Sequence, residues 1–429
     1  MVRWIASVAL VVGASALLAA DAPKRVAVAK CVTETASILR REKPEAKWQL
    51  VKQNEELFSG DQLLLIGSEA GLTSKNGAVR VAGLGEMTGV SPFPVLDTSI
   101  VLNEPTGDLD LDFVLQRGRV DITNLKEKGA AKVRIHTRDR QADFVLTEPG
   151  ARMAVEVYGR WAKGVPFKKD AKPADGPSLA VVVLAIKGEI EMECPGKLCH
   201  RLHAPPGPAL VIGESLGDLD RTLHRLEKLP DWAEGNASEE VKQRKAMAAK
   251  FRQLATTKGE AFTIAEFLHS KEPHERQAAI FMLAATDNLE MLSAVLTRAE
   301  HPDVWDSAVT ALRHWIGREP GQDQKFYDRL VNTIKLTPGE ATLVLNLLHS
   351  FSDEEVARPE LYETLIDYLE HDRVGIRGLA NWHLVRLAPA GKKIGFSPNG
   401  SKEERAKAVE AWRKLIPAGK MPPKEAASK

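Results

Sequence analysis

At 429 residues, with 44% hydrophobic and 27% charged side chains, the chain has the composition of a folded soluble protein and room for two or three domains. A formal net charge of +1 without long basic runs excludes any charge-based argument for nucleic-acid binding or an acidic substrate. The modest basic cluster at 132–140 reads as a solvated strand face.

Residues 1–20 read as a Sec-type signal peptide. Arg3 and the amino terminus supply positive charge, an uncharged apolar run follows, and Ala19-Ala20 precede Asp21. The alternative is an uncleaved anchor, for which about 17 apolar residues is at the short limit. The chain is therefore expected to be exported, to the periplasm or cell surface, and to touch membrane only if that segment stays on.

From Val26 to Val211 short alternating runs are separated by turn residues, the signature of strands. Residues 48–51 and 62–66 are two of them. Asn76-Gly77, between two strand-like runs, predicts a hairpin because both residues tolerate positive φ. Residues 132–137 alternate Val133, Ile135 and Thr137 with Lys132, Arg134 and His136, and Met153, Val155 and Val157 repeat the pattern. Residues 179–193 organise the half: an apolar run that becomes an alternation, with Ile190 and Met192 on one side and Glu189, Glu191 and Glu193 on the other. With no helical period between them, these strands predict an antiparallel β-sandwich or roll.

Trp48-Gln-Leu-Val, Gly60-Asp61-Gln-Leu, Leu72-Thr-Ser-Lys-Asn-Gly-Ala-Val, Leu115-Gln-Arg-Gly118-Arg-Val and Val183-Leu-Ala-Ile-Lys-Gly188-Glu-Ile follow the order of signatures in FecR-type domains. Residues 48–215 resemble that family, which implies an extracytoplasmic β module. The family's Gly-Thr pair is Gly150-Ala151 here, and only three residues precede the apolar run, so sigma-factor signalling is the lesser implication.

After about Ser215 the period becomes 3.6. Helices are expected at 239–256, 274–285, 289–298, 303–316, 323–334, 340–350, 359–371, 374–387 and 401–415. Three of them begin alike, at Glu275, Asp306 and Gly375, 31 and then 69 residues apart. Helix pairs of such a period stack into an α-solenoid. The unit resembles a short HEAT-like repeat at His301-Pro-Asp-Val and His371-Asp-Arg-Val-Gly-Ile-Arg, with Trp305 where a polar residue is usual. The expected division is a β domain at 24–214, a linker with first helices at 215–258, the repeats at 259–416 and a disordered tail at 417–429.

Candidate chemistry is sparse. Gly213-Glu-Ser215-Leu-Gly217 fits the nucleophile elbow of serine hydrolases. That elbow needs a parallel sheet and a later acid and histidine; Asp218, Asp220 and His224 stand too close, so a strand-to-helix exit turn is the preferred reading. Cys194-Pro-Gly-Lys-Leu-Cys199-His200-x-x-His203 has three readings. A Cys194–Cys199 disulfide clipping a hairpin with a four-residue loop is preferred. Zinc bound by both cysteines with His200 and His203, and covalent haem, are the others. Cys31 reads as a small core residue. Asp108-Leu-Asp110-Leu-Asp112 begins like a calcium loop but has Phe113 at the position needing Gly, so it reads as an acidic outer strand face. Trp305, Trp315, Trp382 and Trp412, and the helical histidines, read as packing residues. No catalytic, metal or cofactor site is assigned. The expected function is that of a non-enzymatic scaffold for protein partners, with a secreted serine hydrolase and a FecR-like transmembrane regulator as alternatives.

Overall fold

A computed structural model describes residues 25–33, 37–66, 70–83, 97–138, 140–194, 197–213, 223–229, isolated positions between 233 and 257, 260–298 and 301–423. Residues 1–20, expected to be a signal peptide, Ser215 and most of the helix expected at 239–256 lie outside the described residues. The chain is a large mixed β-sheet followed by a helical half.

The strands are β1 (Ala27–Cys31), β2 (Ile38–Arg41), β3 (Gln49–Leu50), β4 (Glu56–Phe58), β5 (Gln62–Ile66), β6 (Gly71–Ser74), β7 (Val79–Gly83), β8 (Asp97–Asn103), β9 (Leu111–Asn124), β10 (Ala131–Thr137), β11 (Arg140–Leu146), β12 (Arg152–Arg160), β13 (Ser178–Lys187), β14 (Glu189–Cys194), β15 (Lys197–His203), β16 (Gly207–Gly213) and β17 (His224–Leu226). They form two wings that share β9. One wing runs β4-β1-β6-β7-β9-β12-β13-β16-β17. The other runs β3-β2-β5-β8-β9-β10-β11-β14-β15. Every described pairing is antiparallel except β9 with β10, a departure from the all-antiparallel expectation.

Gly118 makes the sharing possible. Residues 112–117 of β9 pair with β8 and residues 118–123 with β12. At the changeover Gly118 has φ +90°, and an added Cβ would sit 2.5 Å from the Asp97 carbonyl oxygen. Gly188, at φ +74°, turns the chain in the same way between β13 and β14. The 179–193 stretch is thus one extended run serving both wings. Its β13 part is nearly continuously buried and its β14 part alternates, as its side-chain pattern predicts. The Asn76-Gly77 hairpin also forms: Gly77 has φ +74°, and the Asn76 side-chain oxygen accepts from the Ala78 N–H. One apolar cluster gathers inward residues of both wings, including Leu63, Val81, Phe113, Ile135, Phe144, Val155 and Val183.

The helices are α1 (Glu260–Leu268), α2 (Pro273–Ala285), α3 (Leu289–Arg298), α4 (Pro302–Gly317), α5 (Gln322–Asn332), α6 (Pro338–His349), α7 (Asp353–Val356), α8 (Pro359–Asp367), α9 (Val374–Leu387) and α10 (Lys402–Leu415). Expected and observed bounds differ by two residues or fewer for most of them, because the apolar stripe fixes each element; α1 and α7 were not expected. The β half extends past the expected boundary, since β17 pairs with β16. Residues 417–423 of the tail are placed, and the Gly419 N–H donates to Glu363 Oε1 (2.6 Å).

A recurring device marks three of the helix starts. The fourth residue of α2 is Arg276, which donates to the Ser270 and Lys271 carbonyls (2.8 and 2.9 Å). The fourth of α9 is Arg377, which donates to the His371 and Asp372 carbonyls (2.6 and 2.9 Å). The fourth of α10 is Arg405, bonded to the Gly400 carbonyl (2.6 Å). These arginines tie each helix start to the turn before it. In α4 the same place holds Trp305, which is buried and lies against Gly378, where any Cβ would overlap the indole. That contact draws α9 onto α4, and α9 also meets α3 and α6. Trp412 packs on Gly391 in the same manner.

Capping chemistry sets several starts. Thr337 and Glu340 form a reciprocal box at the head of α6. Thr337→Ala is expected to cost about 1 kcal/mol in denaturant unfolding, by leaving the Glu340 N–H without its acceptor.

The two halves share a core. Leu39, Leu64 and Ile66, on the outer face of β2 and β5, belong to the helical cluster. Between β12 and β13 the chain leaves the sheet as a strap over α4–α7. Trp161 Nε1 donates to the Ile316 carbonyl (3.0 Å), the Phe167 N–H to Asn346 Oδ1 (2.8 Å) and the Asp170 N–H to Gln324 Oε1 (2.9 Å). Trp161 stacks on His349 at 4.3 Å, and His349 Nδ1 meets the Val165 carbonyl (3.0 Å). Arg117 Nη2 and Arg138 Nη2 donate to the Ala285 and Arg318 carbonyls (2.9 and 2.7 Å).

Candidate functional site

Where α9 closes on α3 and α5, a groove of about 620 Å3 remains. Its size is that of a ligand site. Leu296, Leu330, Val344 and Ile376 form a buried floor. Ile334, Leu336 and Val374, half-buried, form the walls. Glu290, Arg329, Asp372 and Arg373 form a charged rim. Gly375, in the first turn of α9, faces α3: an added Cβ would make an ordinary contact with the Leu296 carbonyl oxygen at 3.5 Å. A second, smaller hollow of about 220 Å3 lies under the strap at Gly164–Pro166, walled by Leu343, Leu347, Phe351 and Leu365.

The rim arginines are held in place. Arg329 Nε donates to Ser293 Oγ (2.9 Å), and Arg373 Nε donates to Glu340 Oε1 (2.7 Å). Hydrogen bonding to Arg373, with the Thr337 backbone N–H second, drops the Glu340 carboxyl to about 2. Glu290 and Asp372 stand exposed on the same rim.

The residues singled out from sequence fare differently. Ser215 lies outside the described residues. The strand leading towards it, β16, is antiparallel to both its neighbours, β13 and β17, whereas a nucleophile elbow stands at the end of a strand in a parallel sheet. The expected hairpin after β14 forms, and Cys199 stands on it as a free, exposed thiol. β14 runs to Cys194 and β15 begins at Lys197, so two residues, not four, turn the chain. Cys194 therefore opposes Lys197, and the shift between Met192 and Glu193 leaves Cys199 beside the pairing of Glu193 with Leu198. His203 Nδ1 turns to Glu189 (3.3 Å) instead of towards Cys199. Among the described residues no group of three or more His, Cys, Asp or Glu side chains is placed to hold a metal. Cys31 is buried in the sheet core, where desolvation raises its thiol pKa.

Of the acidic triplet only Asp108 faces outward, while Leu111 and Phe113 point inward as expected. Asp110 and Asp112 are 7% and 5% exposed. Asp110 accepts from Asn76 Nδ2 (2.8 Å) and the Lys132 N–H (2.9 Å) and pairs with Lys126 (2.7 Å). Asp112 accepts from Asn103 Nδ2 (2.8 Å) and meets His136 Nε2 (3.0 Å). Because β9 is the shared strand, its polar side chains have neighbours on either side, and these carboxylates join strands together. Trp305, Trp315 and Trp412 are buried, and Trp382 lies partly buried between Arg313 and Arg386. The groove residues Arg373 and Gly375 sit in the stretch that reads as a repeat signature, but Arg329 and Ser293 carry no local signal of their own.

Compared with protein-family models, curated proteins and solved structures, the chain matches none. Among the described residues no helix is long and apolar enough to cross a membrane.

Proposed function

We propose that the chain is an exported, non-enzymatic protein of the bacterial envelope that acts as a protein-interaction scaffold. In this reading the two wings are the layers of a FecR-like β-sandwich, and α2–α10 are a HEAT-like stack. The order of sequence signatures at 48–215 and the recurring arginine of α2, α9 and α10 support those assignments. The signal-type sequence at 1–20 supports export. The observation that carries the reading is the groove of about 620 Å3 with its buried aliphatic floor and charged rim. The β half gives it a fixed mount, since the strap and the shared core join the two halves.

The test is affinity capture from envelope extract with the full chain, beside a Gly375→Phe variant whose ring fills the groove. Partners recovered by the wild type and lost by the variant, at unchanged helical circular dichroism, are the expected result. Recovery of the same proteins by both would remove the groove from the reading.

A further inference from the structure

Resting on the groove reading above, we propose that the occupant is a partner polypeptide segment that presents one carboxylate beside an aliphatic side chain, the carboxylate bridging Arg329 and Arg373. Each guanidinium is oriented through Nε, by Ser293 at 2.9 Å and by Glu340 at 2.7 Å. Among the described residues neither Arg329 nor Arg373 makes any further side-chain hydrogen bond or ion pair, so both amino ends of each fork are open there. A guanidinium fork whose geometry is already fixed suits a planar carboxylate acceptor. Arg329 is half-buried and its partner Ser293 is neutral, so its charge is uncompensated within the groove. The rim acids Glu290 and Asp372 stand exposed and make no ion pair among the described residues, though Asp372 acts on Arg373 through its charge; they repel a run of acidic residues and restrict the fit to a single carboxylate. The floor of Leu296, Leu330, Val344 and Ile376 supplies the apolar seat for its neighbour.

The experiment is selection of random displayed heptapeptides on the full chain, with counter-selection on Gly375→Phe. Selected peptides are then measured by fluorescence polarisation against Arg329→Gln, Arg329→Lys and Arg373→Gln. The expected result is enrichment of sequences with one Asp or Glu next to Leu, Ile or Val. Their Kd should rise about tenfold or more with either Gln variant and less with Arg329→Lys. Replacing the peptide's Asp or Glu by Asn or Gln should give the same loss. If enriched peptides carry no carboxylate, or bind the Gln variants unchanged, the carboxylate proposal fails while the groove reading stands. If no peptide distinguishes wild type from Gly375→Phe, both fail. Displacement by isovalerate as effective as by unlabelled peptide would overturn the polypeptide occupant in favour of a small organic acid.

Discussion

Gly159→Ala is expected to lower the melting temperature by about 5 °C or more and to open the strap to protease. Gly159 lies near the end of β12, and its α-carbon faces Gly317, the last residue of α4. An added Cβ would overlap the Gly317 carbonyl oxygen, while a Cβ on Gly317 would stand 2.8 Å from the Gly159 carbonyl oxygen. Backbone meets backbone there, so no side chain can rotate away, and the elements must separate. The Trp161 bond to Ile316 and the Trp161–His349 stack lie directly beside the contact and would be strained with it. Overpacking of this kind costs about 3 kcal/mol. Calorimetry with timed proteolysis would check it; an unchanged midpoint with the strap still protected would mean that the two halves do not depend on this joint.

The joint also shows where sequence reading stops. Alternation of side chains marks a strand, and period 3.6 marks a helix, so residues 62–66, 289–298 and 374–387 are read to their exact ends. Neither period says which wing a strand joins. Gly118 and Gly188 route β9 and the 179–193 stretch through both wings, and locally each is only a glycine flanked by charged residues. Residues 163–178, rich in Lys, Pro, Asp and Gly, read as a loop; only the folded chain brings Trp161 and Phe167 onto the helices. The acidic triplet misleads for a related reason, since a shared strand buries side chains that an edge strand would expose. The groove is the hardest feature to foresee. It depends on Trp305 finding Gly378 seventy-three residues later in the chain (378 − 305 = 73) and on Ser293 orienting Arg329.

Acid is expected to unfold the helical half well above the carboxylate range. His349 and His383 are buried and His314 is half-buried, and desolvation, the leading cause in each case, lowers His314, His349 and His383 to about 4, about 4 and about 3. In the unfolded chain a histidine titrates near 6.5. The folded state therefore holds three neutral rings that the unfolded state protonates first. Their contribution is complete above pH 6.5 and is lost as pH falls from there towards about 4, and for His383 towards about 3. Each adds a slope of about 1.4 kcal/mol per pH unit, so the three together reach about 4 kcal/mol per unit, a large share of ordinary stability. His349 has Asp323 Oδ2 3.9 Å from its Nε2. His383 is the strongest contributor. Its Nε2 donates to the Leu347 carbonyl (2.6 Å), Phe351 and Trp382 close its faces, and the charges acting on it, Arg313 and Arg386, are both cations. Denaturant unfolding between pH 7 and 4.5 should show the steep fall in the wild type, and His383→Gln, which retains a donor for Leu347, should flatten it by about 1.4 kcal/mol per unit. Equal slopes in the two proteins would show that His383 becomes charged in the fold without penalty, against its burial between α6 and α9.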